Sequence, residues 1–247
     1  MEDAGFWVAA VIAAVFVGMG KGGLPMVGML GVPVLSLSIS PVTAAGLLLP
    51  IYVLSDAFGL WVYRREWNAR VVAIMAAGMT VGVGIGWATA SVVSERLVTG
   101  LVGAIGLIFA ASLILRRAEV AEPRAVRVAP GLFWGAVTGF TSFVSHSGAP
   151  PYQVWVQPLG LTKAVFAGTS TIAFAYVNLI KLVPYWALGQ LNPANLKAAV
   201  WLAVPAALAV FAGARLVRVI PERLFFRLVT WALLAISLRL IWQAAAG

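Results

Sequence analysis

Two interruptions of long apolar runs hold the residues whose chemistry stands out in this sequence. Lys21 lies in GMGKGGLP at residues 18–25, and His146, the single histidine of the chain, lies in SFVSHSGAPP at residues 142–151. At membrane depth, irregular backbone is found only where protein or a water-filled cavity satisfies its N–H and C=O groups. We therefore interpret both interruptions as helix breaks that line a site.

Positive charge is the chemistry that both breaks share. Lys21 contributes an ammonium group, and an imidazole such as that of His146 becomes protonated near physiological pH. A helix that begins after a break also directs free N–H groups toward it, which favours an anion over a cation. The predicted substrate-binding residues are Gly20, Lys21, Gly22, Gly23, Ser145, His146, Ser147 and Gly148, and the helix-break residues are Pro25, Pro150 and Pro151.

Simpler interpretations stand beside these functional ones. The first break fits a structural kink with a snorkelling lysine, and a lone histidine is often a satisfied structural residue. Asp56 is the only acidic residue well inside an apolar run. It serves either in coupling or gating, through a proton, or in a structural ion pair with a lysine. If Lys21 binds substrate, we expect Lys21→Ala to abolish the activity of the protein and to leave folding intact.

The elements that position these residues follow from composition. The 247 residues are 62% hydrophobic and 10% charged, whereas a soluble domain carries about 25% charged residues. This excludes a large soluble domain, a nucleic-acid binder and a secreted enzyme, and continuous apolar runs exclude a transmembrane barrel. Cysteine is absent, so no thiolate metal site exists. We predict an all-α polytopic protein in a lipid bilayer, with no cofactor and no metal.

The chain also has the signs of an internal duplication. A shift of 125 residues places Lys21 on His146 and Asp56 on Lys181, whose side chain is expected to snorkel. We predict a first repeat over residues 1–115, a basic linker over 116–130 and a second repeat over 131–247. Each repeat comprises a broken, re-entrant hairpin plus three transmembrane helices, about eight in total. The odd number of crossings makes the second repeat inverted.

Charge asymmetry gives the orientation. In this topology most lysines and arginines fall on the side of the linker. Basic loops stay in the cytoplasm, so the linker is predicted to be cytoplasmic and both termini outside the inner membrane.

The two motifs, GMGKGGLPMVGMLGVP at 18–33 and GFTSFVSHSGAPPYQVWVQP at 139–158, resemble those of the sulfite exporter TauE/SafE family. The resemblance covers essentially the whole chain and implies a transporter of sulfite, thiosulfate or a small organosulfonate such as sulfoacetate. The second motif departs from the Gly-rich form of the family at Ser145, His146 and Ser147, which leaves the substrate within the family open.

These observations predict a secondary transporter rather than an enzyme. It exports a small sulfur-containing anion by alternating access, with the anion bound at the midplane between two half-helix N-termini, Lys21 and His146. The alternatives are an anion channel or an importer of thiosulfate or a sulfonate. An intramembrane serine hydrolase is less favoured, because Ser147 and His146 are adjacent in the chain. Proton coupling and a homo-oligomer stay open.

Overall fold

The computed structural model describes residues 4–36, 38–90, 92, 94–115, 123–219 and 221–246. These residues are mostly helical and contain no strand, which confirms the all-α prediction. The helices are α1 (Ala4–Lys21), α2 (Pro25–Gly28), α3 (Gly31–Leu35), α4 (Pro41–Tyr63), α5 (Ala69–Thr89), α6 (Glu95–Leu115), α7 (Val128–Ser145), α8 (Ala149–Val156), α9 (Lys163–Ala187), α10 (Pro193–Val219) and α11 (Glu222–Ala246). A short 3-10 helix, Gln157–Leu159, follows α8.

Six helices in the described part of the chain are long and apolar enough to cross a membrane. They are α1, α4, α5, α7, α9 and α10. Their length matches the apolar thickness of a bilayer, which about 20 helical residues span. The chain is therefore a multi-pass membrane protein, as predicted. The exact number of eight helices and the inverted repeat stay predictions.

The helices group into two compact units, and each unit draws on both halves of the sequence. Unit 1 comprises Met1–Val72 and Lys163–Val219, and unit 2 comprises Ala73–Thr162 and Ile220–Gly247. The division into repeats at residues 115 and 131 stays a prediction. The predicted linker lies outside the described residues over 116–122. At its other end, α7 already begins at Val128, and Pro130 suits the first turn of a helix because no N–H is needed there.

In unit 1, small residues bring backbones into close contact. A Cβ atom added at Gly18 of α1 would lie 2.0 Å from the carbonyl oxygen of Ala206 in α10. The central helix α4 packs against α1, α9 and α10. Helices in membranes associate through such small residues, because close packing replaces the hydrophobic driving force of water. The close approach positions the end of α1 against its neighbours.

Unit 2 uses the same device between α5 and α7. A Cβ atom added at Gly139 would lie 2.2 Å from the carbonyl oxygen of Met79. The short helix α8 packs against α6 and α7, and α6 packs against α11. The C-terminal end of α7 is thereby placed beside α8 in one compact unit.

Candidate functional site

The first break is a helix end that the chain's own backbone closes. The N–H of Gly23 donates to the carbonyl of Gly20, and the N–H of Leu24 donates to that of Met19, each at 3.2 Å. Gly23 has φ of 104°. This is a Schellman motif, which needs a left-handed residue after the helix end and favours glycine there. Helix α2 then begins with Pro25 at its first position.

The glycines around Lys21 serve close packing. A Cβ atom at Gly20 would lie 2.6 Å from the Cα of Gly28, and one at Gly22 would lie 2.4 Å from the carbonyl oxygen of Val210. The backbone of the protein itself therefore occupies the space that we expected a substrate to approach. The N–H groups of Gly22 and Gly23 also donate to backbone carbonyls of the chain. Of the four residues predicted to bind substrate at this break, Lys21 is the one with a side chain, since the other three are glycines.

Lys21 forms a buried ion pair with Asp56 of α4. The Lys21 Nζ lies 2.6 Å from the Asp56 Oδ1. The Nδ2 of Asn178, on α9, donates to the other carboxylate oxygen of Asp56 at 2.9 Å. All three side chains are buried. Of the two interpretations left open for Asp56, the structure shows the ion pair with a lysine, and a role in coupling or gating stays a prediction.

Lys181 is a second buried lysine in the same unit. Its exposed fraction is 0%, so the expectation that it snorkels to an interface was wrong. Lys21 and Asp56 lie close enough to interact electrostatically with it. Buried charges persist only where partners compensate for lost hydration. We define the charged cluster as Lys21, Asp56, Asn178 and Lys181, which α1, α4 and α9 bring together.

Aromatic rings surround the lysines of the charged cluster. The Nζ of Lys21 lies 5.2 Å from the ring centroid of Tyr52 and 5.9 Å from that of Phe174. The Nζ of Lys181 lies 6.0 Å from the ring centroid of Tyr185. The negative face of an aromatic ring attracts a cation at these distances. The rings thus favour the charged lysines without adding a negative charge that would repel an anion.

Sequence reasoning named Lys21, Asp56 and Lys181 but missed that they lie together, and it missed the aromatic rings beside the lysines, although a signal was present. Helix α9 carries its site residues at alternating spacings of three and four, which place them on one helix face. These residues are Thr171, Phe174, Asn178, Lys181 and Tyr185. The same spacing recurs on α4 at Tyr52, Asp56, Gly59 and Tyr63. Two such stripes on apolar helices predict a shared polar face.

Three hydrogen bonds tie the first break to these stripes. Tyr63 Oη donates to the carbonyl of Gly22 at 2.6 Å, and Tyr52 Oη donates to that of Gly28 at 2.7 Å. Thr171 Oγ1 donates to the carbonyl of Lys21 at 3.1 Å. These bonds satisfy backbone carbonyls where the helix ladder stops. The position of Lys21 is therefore fixed by both α4 and α9.

The second break ends α7 without glycine at the left-handed position. His146 has φ of 53°, and its N–H donates to the carbonyl of Ser142 at 3.0 Å. Few residues other than glycine adopt this conformation, although histidine does so more often than most. His146 and Ser147 are buried, and the hydroxyls of Ser145 and Ser147 lie 3.1 Å apart. The break presents hydroxyls and an imidazole.

Helix α8 offers fewer backbone donors than we expected. It begins at Ala149 after Gly148, with Pro150 and Pro151 next. Proline has no N–H, so two of the first three helical residues cannot donate to an anion. The side chains of this break must therefore supply most of any binding.

The bounds of α1 and α7 differ by 124 residues at both ends, which aligns Lys21 with Ser145 rather than with His146. Lys21 belongs to unit 1 and His146 to unit 2.

Among the described residues, no three His, Asp or Glu side chains form a group that would hold a metal ion.

Comparison with known proteins shows the family to which the chain belongs. The family model of the sulfite exporter TauE/SafE matches residues 6–240, nearly the whole chain. No curated protein and no solved structure matches the chain. Members of the family are membrane transporters of sulfur anions such as sulfite. The chain therefore belongs to the sulfite exporter TauE/SafE family and is a multi-pass membrane transporter, not an enzyme.

Proposed function

We propose that this protein exports a small sulfur-containing anion, sulfite or a small organosulfonate, across the inner membrane by alternating access. The observation that carries the proposal is the charged cluster. It contains two buried lysines and one buried carboxylate, so groups that can carry positive charge outnumber the carboxylate. Ionisable residues inside a membrane protein commonly mark the substrate pathway, because their burial is otherwise costly.

An oxyanion suits this cluster chemically. Lysine ammonium groups donate up to three hydrogen bonds each and bind oxyanions as point charges. The other groups beside the lysines, the amide of Asn178 and the aromatic ring near Lys21, are polar or aromatic and carry no charge. In low dielectric such charge-assisted bonds are stronger than in water. We propose that the anion binds to Lys21 and Lys181, with Asp56 holding Lys21 in place between turnovers.

The second break supplies a further set of proposed contacts. Ser145 and Ser147 carry hydroxyl donors, and His146 adds a positive charge when protonated. Its left-handed conformation costs backbone free energy that glycine would avoid. This cost supports a role for the imidazole itself. We propose that Ser145, His146 and Ser147 bind the transported anion during the transport cycle.

The direction of transport has a physical argument. An inside-negative membrane potential drives anions outward at about 2.3 kcal/mol per charge per 100 mV. Export therefore needs no coupling ion. We propose that the membrane potential drives export. The alternative is proton coupling through Asp56, in which case an imposed pH gradient would change the rate of export.

The transport test uses purified protein in vesicles loaded with sulfite. An imposed potential, negative inside, should increase sulfite efflux from vesicles with the wild type, and Lys181→Met should abolish the increase. Lys197→Met is the matched control, because Lys197 is an exposed lysine of the same unit. Equal efflux from Lys181→Met and wild type would contradict the site. Wild-type efflux unaffected by the potential would contradict potential-driven export.

Counterflow separates a carrier from a channel in the same vesicles. A carrier that alternates between two states accumulates labelled sulfite against unlabelled sulfite inside, whereas a channel does not. We expect counterflow. Its absence, together with flux far above carrier rates, would favour the anion channel.

The topology has its own test, since the chain contains no cysteine. We propose that the linker at residues 116–130 is cytoplasmic and that inverted repeats over 1–115 and 131–247 place both termini outside. A cysteine introduced at exposed Arg127 should react with an impermeant thiol reagent only from the cytoplasmic side. One introduced at exposed Arg96 should react only from the outside. Labelling of both from one side would contradict the crossing of the membrane between them that this topology requires.

A further inference from the structure

We propose that a cavity in unit 2 binds the phosphate headgroup of an anionic glycerophospholipid. The cavity has a volume of about 490 Å³ and lies where the segment before α7, the first half of α7 and the end of α8 meet. We call it the headgroup cavity. Its described lining includes Arg124, Arg127, Trp134, Val154, Trp155 and Pro158. Such a lipid site is independent of which anion the protein transports.

The backbone holds the walls of the headgroup cavity together. The N–H of Arg124 donates to the carbonyl of Pro158 at 2.9 Å, which ties the segment before α7 to the short 3-10 helix after α8. Helices α7 and α8 also pack against each other. A Cβ atom added at Gly131 of α7 would lie 2.6 Å from the ring of Trp155 in α8. The headgroup cavity is therefore bounded by elements that contact one another directly.

Two arginines give the headgroup cavity its charge. Arg124 and Arg127 are exposed, and neither guanidinium has an ion-pair or hydrogen-bond partner among the described residues. The described lining contains no acidic residue. A guanidinium group binds phosphate through two parallel N–H···O bonds, so the two arginines together can hold one phosphate from two sides. Charge complementarity therefore favours a phosphate group over a neutral or cationic occupant.

The start of α7 adds to this positive charge. Arg127 is the N-cap residue of α7, and its side chain forms no capping hydrogen bond. Helix starts favour Ser, Thr, Asp or Asn at the N-cap and acidic residues in the first turn, and α7 has neither. A basic residue at the positive end of a helix dipole is unfavourable, and an anion beside it removes the repulsion. A bound phosphate would compensate the arginines and the helix start together.

Position relative to the membrane favours a lipid over a free phosphate. The apolar span of α7 is Val128–Ser145, so Arg127 directly precedes the part of the chain that crosses the hydrocarbon core. Lipid headgroups lie at this level, where tryptophan is also enriched, and Trp134 and Trp155 line the same cavity. Basic pockets between membrane helices bind lipid headgroups. Arginines beside aromatic and aliphatic side chains suit an amphiphile, whereas a free phosphate would gain nothing from the apolar wall.

Lipid titration of the full-length protein in neutral detergent micelles tests the site. Native mass spectrometry counts bound lipid as phosphatidylglycerol is added, with zwitterionic phosphatidylcholine of the same acyl chains as the reference. The wild type should bind one phosphatidylglycerol about tenfold more tightly than phosphatidylcholine. Arg124→Gln/Arg127→Gln should weaken the binding of phosphatidylglycerol by about thirtyfold, because each basic residue beside an anionic lipid contributes about a factor of five.

Arg65→Gln/Arg70→Gln is the matched control. It removes the same charge from exposed arginines of unit 1 that do not line the headgroup cavity. Its affinity for phosphatidylglycerol should stay within about twofold of that of the wild type, because exposed charges away from the site are screened. Equal weakening in the two double variants would show a general attraction of basic surface for anionic lipid and would overturn the site.

Soluble competitors distinguish a lipid from a free anion. Glycerol phosphate or sulfite, added in equal molar amount to the lipid, should leave phosphatidylglycerol bound. Displacement by glycerol phosphate would assign the headgroup cavity to a soluble phosphate, and displacement by sulfite would assign it to the transported anion. Either result overturns the lipid site.

A second variant keeps the test decisive if Arg124→Gln/Arg127→Gln does not fold. Ala125→Glu places a carboxylate at an exposed position of the lining, between the two arginines in the chain. It should weaken the binding of phosphatidylglycerol by about fivefold. Unchanged binding would overturn the inference, whatever the rate of sulfite efflux.

Discussion

The two helix breaks use a similar backbone arrangement but carry different chemistry. Both α1 and α7 have 18 residues, and each is followed within two residues by a residue in the left-handed conformation and then by a short helix with proline in its first turn. At the first break this residue is Gly23, and the charge comes from Lys21, two residues earlier. At the second it is His146, flanked by hydroxyls.

The difference shows that a break does not by itself make a binding site. Around the first break, glycines fit against backbone, and the ionisable groups beside Lys21 are Asp56 and Lys181 on other helices. Around the second, a histidine takes the conformation that glycine would adopt with less strain. The first break thus positions Lys21 to interact with side chains of other helices. We expect the second break to place its own side chains, Ser145, His146 and Ser147, in the pathway of the transported anion.

The largest expected effect is at Lys21. We now expect Lys21→Met to lower both stability and transport, because it leaves Asp56 buried without its ion-pair partner. Removing one partner of a buried pair costs about 3 kcal/mol, and transport should fall by about 100-fold. This replaces the expectation that a Lys21 variant folds intact.

The double variant Lys21→Met/Asp56→Asn separates the two losses. It removes both charges of the pair, so thermal unfolding should recover most of the lost stability. Sulfite efflux should stay low, because the binding lysine is missing. Full recovery of efflux would show that Lys21 serves only to neutralise Asp56.

The next effect concerns the left-handed glycine of the first break. Gly23→Ala should cost about 2 kcal/mol of the free energy of unfolding, because φ is 104° and the new Cβ would lie 2.6 Å from the Tyr63 hydroxyl. Gly189→Ala is a matched control, since Gly189 also has positive φ but has no atom within 4 Å of a new Cβ. The control should cost about 1 kcal/mol. Equal costs would contradict the tight fit at Gly23.

At the second break we expect glycine to be more stable than alanine at position 146, as at other left-handed helix ends. Both His146→Gly and His146→Ala remove the buried imidazole, so their difference isolates the backbone. The glycine variant should be the more stable by about 1 kcal/mol, because alanine retains the left-handed penalty. Both should lower sulfite efflux. Efflux at the wild-type level in either variant would assign His146 a structural role alone.

The smallest effect is expected at Tyr63. Tyr63→Phe removes the hydroxyl that donates to the carbonyl of Gly22 at 2.6 Å. The loss should cost about 1 kcal/mol, visible as a lower thermal unfolding midpoint, with no change in potential-driven sulfite efflux. A changed efflux would place the hydroxyl within the binding site.

The sequence made the breaks predictable because glycine and proline act locally. Pro25 begins a helix, and the helix before it ends at Lys21, as the clustered glycines indicated. The role of those glycines was less predictable. A glycine that approaches a ligand and one that approaches another helix have the same sequence pattern, and only the position of Val210 and Gly28 distinguishes them.

By itself, the sequence determined an all-helical membrane protein, since long apolar runs have one stable form in a bilayer. It also determined where helices stop, and it carried the motifs of the family. Only the tertiary structure decided that Lys21, Asp56 and Lys181 form one cluster. Asp56 and Asn178 are 122 residues apart in the chain. Their contact depends on how α4 and α9 pack, and that packing is set by all the small and large side chains between them rather than by any local motif.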